Sequence, residues 1–124
     1  MATDAEKIVT EFCNAWPRKN VEELLAFFTD DAVYHNIPME PVRGKAAIKA
    51  AINTFLPMAK SLQFKILHTA TSGNVVMNER VDIFDLGNGK KIELPVAGVF
   101  EVTGSKISAW RDYFDMQTYM KQMS

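Results

Sequence analysis

One cysteine, Cys13, stands in a sequence of 124 residues, so no internal disulfide is possible. Histidine is nearly as scarce. His35 and His68 lie too far apart in sequence for the close spacing of a metal site. No apolar run approaches the roughly 20 residues that a membrane-spanning helix needs. Neither sign of charge is in excess. Lys and Arg number 14 and Asp and Glu 15, a formal net charge of −1, which gives no electrostatic reason for a nucleic acid or membrane partner. A G-x-G-x-x-G turn, a phosphate loop and a G-x-S-x-G nucleophile turn are all missing. So are repeats, low-complexity tracts and linkers. The opening stretch, MATDAEKIVTEF, is acidic and passes straight into a helical pattern, unlike a signal peptide, so the expected location is the cytoplasm.

What remains has the composition of a soluble globular protein, 48% apolar and 23% charged. The length suits a single domain over residues 1–124, with one core and no room for a separate cofactor domain. Thr3 with Glu6 forms a capping box ahead of Ile8, Phe12, Ala15 and Trp16, which recur at helical spacing up to Pro17. Cys13 falls inside this helix as a small core residue. Asn20 with Glu23 opens a second helix running through Leu24, Leu25, Phe27 and Phe28. Residues 32–36 read as a short strand, followed by a loop holding Pro38, Pro41 and Gly44. KAAIKAAINTFLPMA is a third helix, stopped near Pro57.

From Ser61 onward the pattern alternates. SLQFKILHTATS sets Leu62, Phe64, Ile66 and His68 on one face, which makes His68 a satisfied core histidine. Turns at Gly73-Asn74, Gly87-Asn88-Gly89 and Gly104-Ser105 separate three more strands, and QTYMKQMS closes the chain as a short helix. Gly98, in mid-strand, predicts a bulge or bend. The seven methionines are scattered and read as gap-fillers or pocket lining. Helices first and strands later argue an α+β fold. Its mixed, mainly antiparallel sheet is strongly curved and packs against three N-terminal helices. The result is a cone with a deep apolar pocket.

Charge appears where such a fold should be dry. Alternation puts Val76, Asn78, Arg80, Asp82 and Phe84 on one face of a strand. Ser108, Trp110, Asp112 and Phe114 share a face of another, and Ile92, Leu94, Val96 and Gly98 a face of a third. A carboxylate against apolar walls is costly unless paired, hydrogen-bonded or protonated. Two readings are open. Arg80 and the aspartates form a structural ion pair or a solvated face. Alternatively, two carboxyls share one proton across Arg80, which places an acid and a base in one small site. Val75, Met77, Val81 and Ile83 make the opposite face apolar too, so the sheet is expected to be buried on both sides. Tyr34 and Asn36 share a face of the early strand. They either hold a water or are an edge tyrosine and a turn-forming asparagine.

The stretches VYHNIPMEPVRG, ERVDIF and WRDYFDM resemble the limonene-1,2-epoxide hydrolase family, within the nuclear-transport-factor-2-like (SnoaL-like) cone domains. The resemblance covers nearly the whole chain. It implies that Asp112 is the general base and that Tyr34 and Asn36 are the other holders of the attacking water. It implies that Asp82 is the general acid and that Arg80 orients both aspartates. Water would then open a small, cyclic or terpenoid epoxide in one step to a vicinal diol, with no metal or organic cofactor. Phe55, Phe84, Leu94, Val96, Phe114 and Tyr119 are expected to line the substrate cavity, and a homodimer is implied. Members of the family can carry a longer segment ahead of the first helix that closes the pocket. Phe55 and Phe84 are bulky for pocket positions, which narrows the cavity or shifts its preference. Two other functions remain open for this fold: an isomerase or cyclase, and a non-catalytic binder of apolar ligands.

Overall fold

The structure, a computed structural model, describes residues 3–124. Helix α1 (Asp4–Ala15) starts where expected, with the Thr3 hydroxyl accepting the Glu6 amide at 3.1 Å. It buries Val9, Phe12, Cys13 and Ala15. Pro17 turns the chain through a short 3-10 segment, Trp16–Arg18. Helix α2 (Val21–Leu25), capped by Asn20, is shorter than its apolar pattern suggests. Phe27 and Phe28 leave it, because tertiary pairing competes for their backbone. The Phe27 carbonyl accepts the Ile107 amide at 2.7 Å, and Phe28 opens strand β1 (Phe28–Asn36). That strand is longer than residues 32–36, since polar Thr29, Asp30 and Asp31 hide its first half. The proline-rich loop holds an unexpected two-residue strand, β2 (Val42–Arg43), paired to β1. Helix α3 (Lys45–Phe55) ends before Pro57 in another 3-10 turn.

The second half is a meander of β3 (Ser61–Ser72), β4 (Val75–Asp85), β5 (Lys91–Thr103) and β6 (Lys106–Tyr113), followed by helix α4 (Met116–Met123). The six strands form one sheet in the order β2-β1-β6-β5-β4-β3. The early strand thus joins the meander's last strand, and this β1–β6 pairing alone is parallel. The fold is α+β, a curved and mostly antiparallel sheet closed by helices, in agreement with the sequence pattern.

The core is aromatic. Phe12 meets Trp110 edge-on at 5.0 Å, and Trp16 stacks on Phe64 at 4.8 Å. Cys13 is fully buried, as expected of a core residue, and burial pushes its thiol up to about 12.

Four expectations need correction. A register shift between Ile66 and His68 in the β3–β4 ladder reverses the alternation, so His68 faces solvent and pairs with Glu79 at 2.9 Å. No bulge falls at Gly98; the irregularity of β5 lies between Glu101 and Val102. The outer sheet face is not buried by this chain, for Met77 is 51% exposed and Val75, Val81 and Ile83 are half-buried. Among the described methionines, Met39, Met58 and Met116 line the pocket and Met123 packs against buried residues as expected, whereas Met77 and Met120 are exposed and do neither.

Candidate active site

The register assembles the site from four strands. Asn78 on β4 pairs with Gly98 on β5, Gly98 with Asp112 on β6, and Asp112 with Asn36 on β1. These residues form one row across the concave face. Arg80 and Asp82 follow Asn78 on the same face by the two-residue period. Tyr34 sits beside Trp110 and stacks on it at 4.1 Å. Five residues far apart in sequence (Tyr34, Asn36, Arg80, Asp82, Asp112) therefore converge.

Arg80 is the hub and is completely buried. Its Nε and Nη2 donate to the two Asp82 oxygens at 3.0 and 2.9 Å. Nη2 also donates to Asp112 Oδ2 at 2.9 Å. Nη1 donates to Asn78 Oδ1 at 3.1 Å. The guanidinium lies over the Phe64 ring, with Cζ 4.9 Å from its centroid. Gly98 makes this possible. A Cβ at position 98 would come 2.4 Å from Arg80 Nη1 and 3.0 Å from Asp112 Oδ1. The mid-strand glycine is thus explained by close side-chain approach rather than by a bulge.

Asp112 receives a further bond from the Trp110 indole, Nε1 to Oδ1 at 2.7 Å. The Tyr34 hydroxyl rests on the Asn36 carboxamide, 2.9 Å from the donating Nδ2 and 3.1 Å from Oδ1. Burial raises Asp82 to about 6; Arg80 opposes the rise and Asp112 adds to it. Burial, reinforced by Asp112, raises the Tyr34 phenol well above its ordinary value and keeps it neutral. Burial alone would lower Arg80, but the flanking carboxylates hold it charged. One guanidinium, one carboxylate and one protonated carboxyl make a neutral buried group. This is the least costly state of three such residues.

Asp82, Asp112, Tyr34 and Asn36 open onto a pocket of about 420 Å³, while Arg80 stands behind the carboxyls and is not part of the wall. All six residues expected to line a cavity, Phe55, Phe84, Leu94, Val96, Phe114 and Tyr119, are on that wall. The phenylalanines at 55 and 84 meet edge-to-face at 6.4 Å. His35 takes no part; its Nε2 braces the loop at the Met39 carbonyl, 2.9 Å away. Among the described residues no three His, Cys, Asp or Glu side chains converge as metal ligands. Sequence reasoning missed the contributions of Asn78, Gly98 and the Trp110 indole. The two-residue offsets of Asn78 from Arg80 and of Trp110 from Asp112 were the available signal. Gly98 becomes legible only from the cross-strand register.

The sequence profile of the limonene-1,2-epoxide hydrolase catalytic domain matches residues 3–124. Among curated proteins, epoxide hydrolase EphG of Mycobacterium tuberculosis is 30% identical over 113 residues, 91% of this chain and 74% of that protein. Among solved structures, a limonene-epoxide-hydrolase-like epoxide hydrolase of M. tuberculosis superposes with a TM-score of 0.83. It is 29% identical, over 96% of this chain and 88% of that one. The epoxide hydrolase/cyclase-like enzyme SalBIII, described in pyran ring formation in the polyether salinomycin, has a TM-score of 0.82. At 17% identity over 92% of each chain, it shares the fold.

Proposed function

The chain belongs to the limonene-1,2-epoxide hydrolase family, and on that premise we propose that it adds water in one step to a small cyclic or terpenoid epoxide, giving a vicinal diol without a cofactor. The observation that carries this reading is the pair of buried carboxyls bridged by one guanidinium at the wall of an apolar pocket. In this mechanism Asp112 takes a proton from a water also held by Tyr34 and Asn36. The water oxygen attacks an epoxide carbon from the face opposite the C–O bond. That bond breaks with its electron pair on oxygen, and Asp82, raised to about 6, delivers the proton. Asp112 ends protonated and Asp82 ionised. Arg80 Nη2 touches both at 2.9 Å, so the bridged group keeps its total charge throughout. Passing the proton from Asp112 back to Asp82 resets the site.

Water-holding groups beside the base favour hydrolysis over isomerisation. An enolate-forming isomerase needs one base and one donor, and has no use for a water position or for an arginine between two acids. The apolar walls and the volume of about 420 Å³ suit a monoterpene-sized or smaller epoxide. We also propose a homodimer through the outer sheet face, where Met77, Val81, Pro95, Ala97, Val99 and Tyr113 form neighbouring pairs across β4, β5 and β6.

Diol formation from limonene oxide and cyclohexene oxide, with wild type and Asp112→Asn compared, tests the reading. Loss of a positioned base is expected to lower turnover by about 10²–10⁴-fold. A folded wild type inert on both epoxides would overturn it.

A further inference from the structure

Every N–H of Arg80 that faces the carboxyls is committed to them, yet the guanidinium also has a back. Nη1 points away from the pocket into the space left by Gly98 and meets a single acceptor, Asn78 Oδ1, at 3.1 Å. Asn78 is 4% exposed and does not line the pocket, so it stands behind the cavity wall. Its carboxamide has a second contact that fixes its orientation. Nδ2 donates to the thiol sulfur of Cys13 on α1 at 3.6 Å. A thiol pushed up to about 12 stays neutral and accepts, so the amide nitrogen turns to sulfur and the amide oxygen to Arg80. A chain of contacts thus runs from helix α1 through Cys13 and Asn78 to Arg80, and from Arg80 to both carboxyls.

We propose that Asn78, oriented by Cys13, is a positioning residue for the reaction: it stops rotation of the Arg80 guanidinium and so keeps Nη2 shared between Asp82 and Asp112. The geometry requires some such restraint. Arg80 holds Asp82 with two bonds and Asp112 with one. Without a hold on Nη1, only the carboxyls themselves and the Phe64 ring limit the tilt of the guanidinium between the two acids. A tilt of even a fraction of an ångström breaks the shared contact, because Nη2 is at hydrogen-bond distance from both. Asn78 spans three requirements at once: it is an acceptor, it is uncharged, and it is short enough to remain behind the site. A carboxylate there would add a third negative charge, and an apolar side chain would leave a buried N–H unpaired.

This inference rests on the proposed roles of Asp82, Asp112 and Arg80, and its test separates the two. The carboxyl groups are titrated by ¹³C NMR in wild type, Asn78→Leu and Cys13→Ala, with Asp82→Asn to assign the signal. Groups that act on Asp82 from the surrounding elements are Arg80 on β4, Asp112 on β6, Tyr34 on β1 and Cys13 on α1; Glu40 shares the pocket wall. In parallel, kcat and KM are measured on limonene oxide and cyclohexene oxide. Asn78→Leu is expected to move the Asp82 titration to higher pH, since a loosened guanidinium holds the carboxylate less well. It is expected to lower kcat by about ten- to a hundredfold, with KM within about threefold. Cys13→Ala should move both in the same direction by less. A folded Asn78→Leu with titration and kcat unmoved overturns the proposal. Should Asn78→Leu fail to fold, Cys13→Ala decides: unmoved values overturn it, and a raised titration with lowered kcat supports it. A wild type inert on both epoxides would sink the hydrolase reading, while the titration would still decide the role of Asn78.

Discussion

Asp82 and Asp112 are the same residue in different settings. Asp82 has only Arg80 to compensate its burial, whereas Asp112 also receives the Trp110 indole N–H at 2.7 Å. A raised Asp82 supplies an acid whose proton is lost as pH climbs through about 6. The alkaline limb of kcat/KM is therefore expected to bend near 6; a bend above 8 would assign the acid to another group. The same group affects stability. Its folded pKa lies above its ordinary 3.8, so the folded chain holds this proton more tightly than the unfolded one. The stabilisation is full below about pH 4 and is lost as pH rises through about 6. It is worth on the order of 3 kcal/mol. Melting curves of wild type and Asp82→Asn between pH 4 and 7 check this, and parallel curves would refute it. Trp110→Phe, which keeps a ring in the core and removes the donor to Asp112, is expected to reduce kcat by about tenfold or more. It should also cost about 1–3 kcal/mol of stability, because a buried acceptor loses a donor. Kinetics and denaturant titration measure the two effects.

At the scale of elements, β5 is built around what it omits at position 98. Gly98→Ala would push a methyl group to 2.4 Å from Arg80 Nη1, and the guanidinium, held by Asn78, Asp82 and Asp112, cannot yield without breaking bonds. A loss of about 1–3 kcal/mol and near-complete loss of turnover are expected; unchanged kinetics in this variant would contradict the description of the site. Helix α4 belongs to the pocket because it carries Tyr119, and its cap is Asp115, which accepts the Thr118 amide at 3.0 Å and hydroxyl at 2.7 Å. Those bonds hold the Asp115 carboxyl below its ordinary value. Asp115→Ala is expected to fray α4 and raise KM severalfold, with kcat little changed. The elements also show where periodicity failed. Phe27 and Phe28 fit a helix, yet the Ile107 amide claims the Phe27 carbonyl. His68 fits an inward position only until the shift after Ile66 turns it outward.

For the whole molecule, the concave face carries the site and the convex face is left partly bare. Met77 and Tyr113 are 51% and 45% exposed; Met77 lies beside Val99, Tyr113 beside Ala97 and Val81 beside Pro95, with Glu79 opposite Ala97 and Arg111 opposite Val99. Ala97→Arg would place a long side chain in the middle of that surface, opposite Glu79. It is expected to convert the proposed dimer to monomer in analytical ultracentrifugation, and a wild type already monomeric would remove the dimer from the account.

The sequence by itself determined much of this. N-caps at Thr3 and Asn20, prolines at 17 and 57, and glycine-marked turns fixed most elements, because these signals act over a few residues. Two-residue alternation also put Arg80 with Asp82, and Trp110 with Asp112, on shared faces. The tertiary structure decided which faces meet. Strand β1 pairs in parallel with the last meander strand, and this sets Asn36 against Asp112, a proximity that no local pattern encodes. It likewise decided that Gly98 is a space for a guanidinium and that Asn78 stands behind it. Local propensity is written in neighbouring residues, whereas register across a sheet results from packing the whole core at once.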